Sequence, residues 1–192
     1  MTQAQLTFLL AAAGTLAGAG LITWAVVSHS RRQQFSPRQV MKRISAAQLV
    51  DVLIPDGLDG EIHLDHLLLT PRGLLVIDLR NVHGAVFGGE QMDDWTVLSA
   101  ARRYTFRNPL GALAARVHAV RRLAGQVPVT GRVVLVGGTV EFPGGRIPGV
   151  ITLSDLEQEF GAAEGLPPQS VEPFRPFWQT VTAAARRNEH GG

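Results

Sequence analysis

The sequence predicts an α/β domain, a mixed central sheet with flanking helices, preceded by one N-terminal transmembrane helix. Three observations lead there. The first thirty of 192 residues contain no Asp, Glu, Lys or Arg, so every such charge falls in the remainder. That remainder has the charge density of an ordinary globular domain and enough length for one core. Its helical and strand-like stretches follow in the irregular order helix, strands, helix, strand, which suits a mixed sheet rather than a bundle or an all-β fold. There is no Cys, which excludes disulfides, zinc–thiolate centres and thiol nucleophiles.

The first element is the anchor. Leu6–Val27 is an uncharged, mostly apolar run of 22 residues. As a helix it spans ~33 Å, enough for a hydrocarbon core. Trp24 falls near one end, where aromatic rings favour the headgroup layer. Arg31, Arg32, Arg38, Lys42 and Arg43 follow with no acid among them, so the C-terminal domain is expected on the cytoplasmic side. A cleaved signal peptide, the competing reading, would want positive charge ahead of the apolar run, and none is present. The expected divisions are an anchor at 1–30, a basic linker at 31–36, a domain at 37–160 and a helical extension with a tail at 161–192.

The basic cluster also accounts for the overall charge. Of 18 basic residues, five lie in it; the other 13 face 16 acids, a net of −3 from residue 44 onward. A net-acidic domain offers no bulk attraction for nucleic acid, so any such binding must come from a local patch. Arg102, Arg103 and Arg107 beside Tyr104 and Phe106 form one, read from sequence as a solvated loop able to contact phosphates.

The remaining elements follow in order. Ser36, Pro37 and Gln39 make a capping-box pattern, and Val40, Met41, Ile44 and Ala47 continue a helical stripe to about 48. Leu49–Pro55 reads as extended. Glu61–Thr70 and Gly73–Arg80 are strands around a Thr70-Pro71-Arg72-Gly73 turn. Short strands are expected at Ala85–Phe87 and Trp95–Ser99. Asn108-Pro109 opens a helix to about Gly125, with Leu110, Leu113, Val117 and Val120 as its stripe. Strands follow at Arg132–Val136 and Val150–Leu153, then a short helix capped by Ser154. A last helix over 171–187 is interrupted early by Pro173 and Pro176.

The hairpin carries the chemistry. Alternation places Glu61, His63 and Asp65 on one face of the first strand, and Ile62, Leu64 and His66 on the other. Asp78 ends the apolar run Leu74-Leu75-Val76-Ile77. A two-residue loop puts Asp65 opposite Asp78 and His63 opposite Arg80, with Cβ atoms ~5 Å apart. Two carboxylates that close repel unless a proton or cation separates them, and a hard divalent ion such as Mg²⁺ fits. A three-residue loop with Gly73 in a bulge instead sends the two aspartates to opposite faces. Asp78 and Arg80 also read as a simple strand-end charge pair.

The run from Ile62-His63-Leu64-Asp65-His66 through Gly73 to Ile77-Asp78-Leu79-Arg80-Asn81 and Gly84, then Trp95, then Asn108-Pro109 before a helix, resembles the nuclease-related domain (NERD) family, a relative of the PD-(D/E)xK nucleases. The likeness covers about residues 37 to 155. It implies a restriction-endonuclease-like fold and metal-dependent cleavage of DNA or RNA. It implies Asp65 and Asp78 as catalytic Mg²⁺ ligands and Arg80, also catalytic, at the position of the family's lysine; Arg107 of the basic patch and Asn108 are the expected substrate-binding residues.

Three departures stand out. Arg for Lys is not conservative at a site, although a guanidinium can hold a phosphate bidentately. The first helix has no acid, and Gly111, Ala112 and Leu113 occupy a turn where the family often has Gln. Two expectations follow: a membrane-anchored nuclease, or a degenerate relative that binds nucleic acid or protein at the membrane.

Overall fold

The computed structural model describes residues 36–161 and 170–188. The expected anchor at 6–27 and linker residues 31–35 lie outside them. Among the described residues no helix is long and apolar enough to cross a membrane.

The chain forms helix α1 (Pro37–Ile44), strands β1 (Ala47–Pro55), β2 (Glu61–Thr70), β3 (Gly73–Asn81), β4 (Gly84–Phe87), β5 (Asp94–Leu98) and β6 (Arg103–Arg107), and helix α2 (Leu110–Ala124). Strands β7 (Val129–Val136), β8 (Val140–Glu141) and β9 (Val150–Thr152) and helix α3 (Leu153–Phe160) follow. A 3₁₀ turn (Glu172–Phe174), helix α4 (Arg175–Ala184) and strand β10 (Arg186–Arg187) complete it. The expected α/β class holds, with two sheets rather than one. The larger is mixed, in the order β10-β1-β2-β3-β7-β9; the smaller runs β6-β5-β4-β8.

Two apolar clusters hold the larger sheet. One collects Val40, Met41 and Ile44 of α1 and Leu156 and Phe160 of α3 against Leu68, Leu75, Ile77 and Val134. The other joins Leu113, Val117 and Val120 of α2 and Trp178 and Val181 of α4 to Leu67, Leu69, Leu74 and Val76. Trp95 and Val97 of the smaller sheet belong to this second cluster, and both are fully buried. Each fully buried Leu or Val contributes about 1.5–3 kcal/mol.

Several local expectations are corrected. Helix α1 stops at Ile44, short of 48, because Ala46–Leu49 is drawn into pairing with β2: the Ala46 N–H donates to Leu69 O, and Ala47 opposes Leu69. The patch at 103–107 is a strand, with Arg103, Thr105 and Arg107 exposed and Tyr104 and Phe106 turned partly inward. Phe106 meets Trp95 edge-on at 5.8 Å, which fixes that alternation. Thr152, not Ser154, caps α3, accepting from the Asp155 N–H while Asp155 accepts from the Thr152 N–H at 3.0 Å. The long C-terminal helix divides into the 3₁₀ turn, α4 and β10, and β10 pairs with β1 at Val52 and Leu53.

Candidate functional site

The hairpin loop decides the register. Thr70 opposes Gly73, so the loop is Pro71 and Arg72 alone. Gly73 is required there: its φ is +109°, and a Cβ would fall 2.3 Å from the Pro128 carbonyl oxygen. The Thr70 hydroxyl donates to Gly73 O at 2.9 Å and accepts from the Arg72 N–H. This is the two-residue register of the two sequence alternatives. Regular β2–β3 pairing runs to His66 opposite Ile77 and ends one residue short of Asp65 and Asp78.

It ends there because β2 turns over. Leu64 and Leu67 pack into the same cluster, although an unbroken strand would point them to opposite faces. Leu49 and Val52 of β1 do likewise, and Asp51 between them has a left-handed φ of 54°. Simple alternation is thus corrected: His66, opposite Ile77, leaves the face that holds Ile62 and Leu64. The Nδ1 atom of His66 is buried without a partner among the described residues, and burial lowers its pKa below the ordinary imidazole value.

Four side chains meet at the turnover. His63 Nε2 lies 2.6 Å from Asp51 Oδ1, and His63 Nδ1 lies 3.3 Å from Asp65 Oδ1. Asn188, just past β10, donates to Asp51 Oδ1 at 3.1 Å. The hydrogen bonds from His63 and Asn188 hold the Asp51 carboxyl below the usual carboxylate range. Asp65 is therefore engaged with His63.

Asp78 has different company. It is one of two fully buried polar residues among those described, with a relative exposure of 0%. Arg80 lies across it, with Nε 2.6 Å from Oδ1 and Nη2 donating to Oδ2 at 3.0 Å. The closer contact is an ion pair without hydrogen-bond alignment, so Asp78 Oδ1 and Arg80 Nε lack an aligned partner. From α2, the Arg116 Nη1 donates to Oδ2 at 2.5 Å, and Arg116 Nε donates to the His63 carbonyl oxygen at 2.7 Å. Arg116 is nearly buried, at 14% exposure, whereas Arg80 keeps 40% of its side chain in solvent. One carboxylate thus meets two guanidinium groups.

Sequence reasoning singled out Asp65, Asp78 and Arg80, and missed Arg116 and Asp51. Both left a signal. Arg116 lies three residues after Leu113 and four before Val120, at the edge of the buried stripe. Asp51 interrupts the apolar run Leu49-Val50 and Val52-Leu53-Ile54.

Asn108 is placed by its backbone partners. Its Nδ2 donates to the carbonyls of Gly89, Glu90 and Met92, and its Oδ1 accepts from the Leu110 N–H at 2.9 Å. It ties the β4–β5 loop to the first N–H of α2. Arg107 projects from the exposed face of β6.

The hairpin, the buried aspartate with its arginine two residues on, Trp95, and the Asn–Pro pair before α2 now stand in one structure. The family described as the nuclease-related domain matches residues 35–136, which runs from the start of α1 to the end of β7. The chain belongs to the nuclease-related domain family. Among curated proteins and among solved structures, none matches it.

Membership of the nuclease-related domain family raises the question of a divalent ion at Asp65 and Asp78. The residues as placed do not fit one at Asp78. Its unaligned Oδ1 is a potential ligand, but two guanidinium groups already neutralise the carboxylate, and a third positive charge would be repelled at short range in a buried setting. Among the described residues no three His, Asp or Glu side chains gather as an ion cage.

Proposed function

We propose that this nuclease-related domain is a nucleic-acid-binding module held at the membrane, and that it does not cleave its ligand. The observation that carries the reading is the double neutralisation of Asp78 by Arg80 and Arg116. A carboxylate committed to two internal cations builds structure instead of recruiting a metal. Arg80, anchored at one end on Asp78 and half exposed, offers a guanidinium to a phosphate oxygen. Arg103 and Arg107, exposed on one face of β6, supply further cations. Family membership supports nucleic acid, DNA or RNA, as the ligand class. The uncharged run at 6–27, followed by the basic cluster, supports a single-pass membrane anchor with the domain on the cytoplasmic side.

A second reading is Mg²⁺-dependent phosphodiester cleavage with Asp65 and Asp78 as ligands and Arg80 on the phosphate. The buried Asp78 Oδ1 without an aligned donor favours it. The two are separated with the full-length chain in mild detergent. Fluorescent single-stranded and duplex oligonucleotides are followed for binding without metal, then for cleavage with Mg²⁺ or Mn²⁺. The expected result is salt-sensitive binding that weakens in Arg80→Ala, with no cleavage. Cleavage abolished by Asp78→Asn would replace the first reading with the second.

A further inference from the structure

We propose that the Arg116 guanidinium stands in the place of a metal ion, so that the centre is completed by a cation belonging to the chain itself. This deepens the reading above and rests on its account of Asp78. Three observations converge on Arg116. It donates to one carboxylate oxygen, Asp78 Oδ2, and to one backbone carbonyl oxygen, that of His63. Carboxylate and carbonyl oxygens are the donors a hard divalent ion gathers. Arg116 and Arg80 together bring two positive charges to Asp78, the charge of one such ion.

The reach of the residue is the third point. Arg116 comes from α2 and joins the end of β3 to the point where β2 turns over, linking two strands whose regular pairing has just stopped. A metal ion bridging those strands would do the same mechanical work. The planar fork of arginine suits this role because it donates in two directions and keeps its charge at any working pH. The rest of the site agrees: Asp65, the other candidate ligand, is turned to His63.

The test measures metal directly. Full-length protein in detergent is titrated with Mn²⁺, and free Mn²⁺ is read by electron paramagnetic resonance. The parent chain is expected to show no saturable site that depends on Asp78. Arg116→Gln removes the resident cation and keeps a hydrogen-bonding side chain. It is expected to bind one Mn²⁺ at least about tenfold more tightly than the parent, and adding Asp78→Asn is expected to abolish that gain. Arg116→Lys, which restores the charge, is expected to bind as weakly as the parent. A parent chain that binds one Mn²⁺ and loses it in Asp78→Asn overturns the proposal, whether or not Arg116→Gln folds. A folded Arg116→Gln with no gained site overturns it equally. Oligonucleotide binding is measured separately, so failure of this inference and failure of nucleic-acid binding are read on different instruments.

Discussion

Asp78→Asn leaves Arg80 and Arg116 facing a neutral amide, with Arg116 nearly buried. Breaking one side of a buried ion pair costs about 3–5 kcal/mol, because the remaining charge is stranded. Urea denaturation of the variant is expected to show a loss of that size, and Arg80→Ala a smaller one, since Arg80 is half in solvent. His66 provides a pH prediction. Its folded pKa lies below its unfolded value because burial disfavours the imidazolium, so the unfolded chain binds the proton more readily. Its contribution to stability is complete above the unfolded value of about 6.5 and declines as pH falls through the folded one. The denaturation midpoint is expected to drop on acidification below about pH 6.5, and His66→Phe is expected to flatten that drop. At this scale the sequence made Asp65, Asp78 and Arg80 legible, because charges in apolar strands are conspicuous. Arg116 was not, because an arginine near a helix stripe looks the same whether it snorkels outward or reaches beneath the sheet.

Among elements, β2 is the most consequential. A one-place turnover between Leu64 and Leu67 moves Asp65 and His66 relative to the rest of the strand, and residue alternation has no signature for it. The left-handed Asp51 on the neighbouring strand accompanies the turnover. Asn and Gly tolerate that backbone better than Ala, and Asn keeps some hydrogen bonding to His63. The expected order of thermal stability is Asp51, then Asn, then Gly, then Ala, and an alanine variant ranking above glycine would contradict the role of φ. Strand β6 was read as a loop because five residues with two inward aromatics give little pattern. Its exposed Arg103 and Arg107 yield a measurable consequence. The double alanine variant is expected to lower the salt slope of oligonucleotide binding by about 1.5 to 2, with little sequence preference lost. An unchanged slope would remove β6 from the interface.

For the molecule as a whole, the α/β class and the presence of the 61–80 hairpin were readable from periodicity and turn chemistry, whereas its loop length was not, because the flanking apolar runs suit two or three residues alike. The second sheet and the closure of β1 by β10 were not, since they depend on contacts between segments far apart in sequence. The charge partition remains informative at this scale. With a domain that is net acidic beyond residue 44, nucleic acid is attracted only where arginines cluster, so binding is expected to fall steeply with salt. Deleting residues 1–30 is expected to release the chain from membranes to the soluble fraction on flotation. A truncated chain that still floats would place membrane affinity elsewhere.

The contact between Arg116 and Asp78 spans 38 residues of sequence and joins a helix to a strand. Neither position drifts without cost, because losing Asp78 strands the nearly buried Arg116, and losing Arg116 leaves the buried Asp78 with one cation instead of two. Across the descendants of this chain the two should therefore be gained and lost together. An apolar residue at one should accompany an apolar residue at the other, and that covariation would be visible long before any activity is measured.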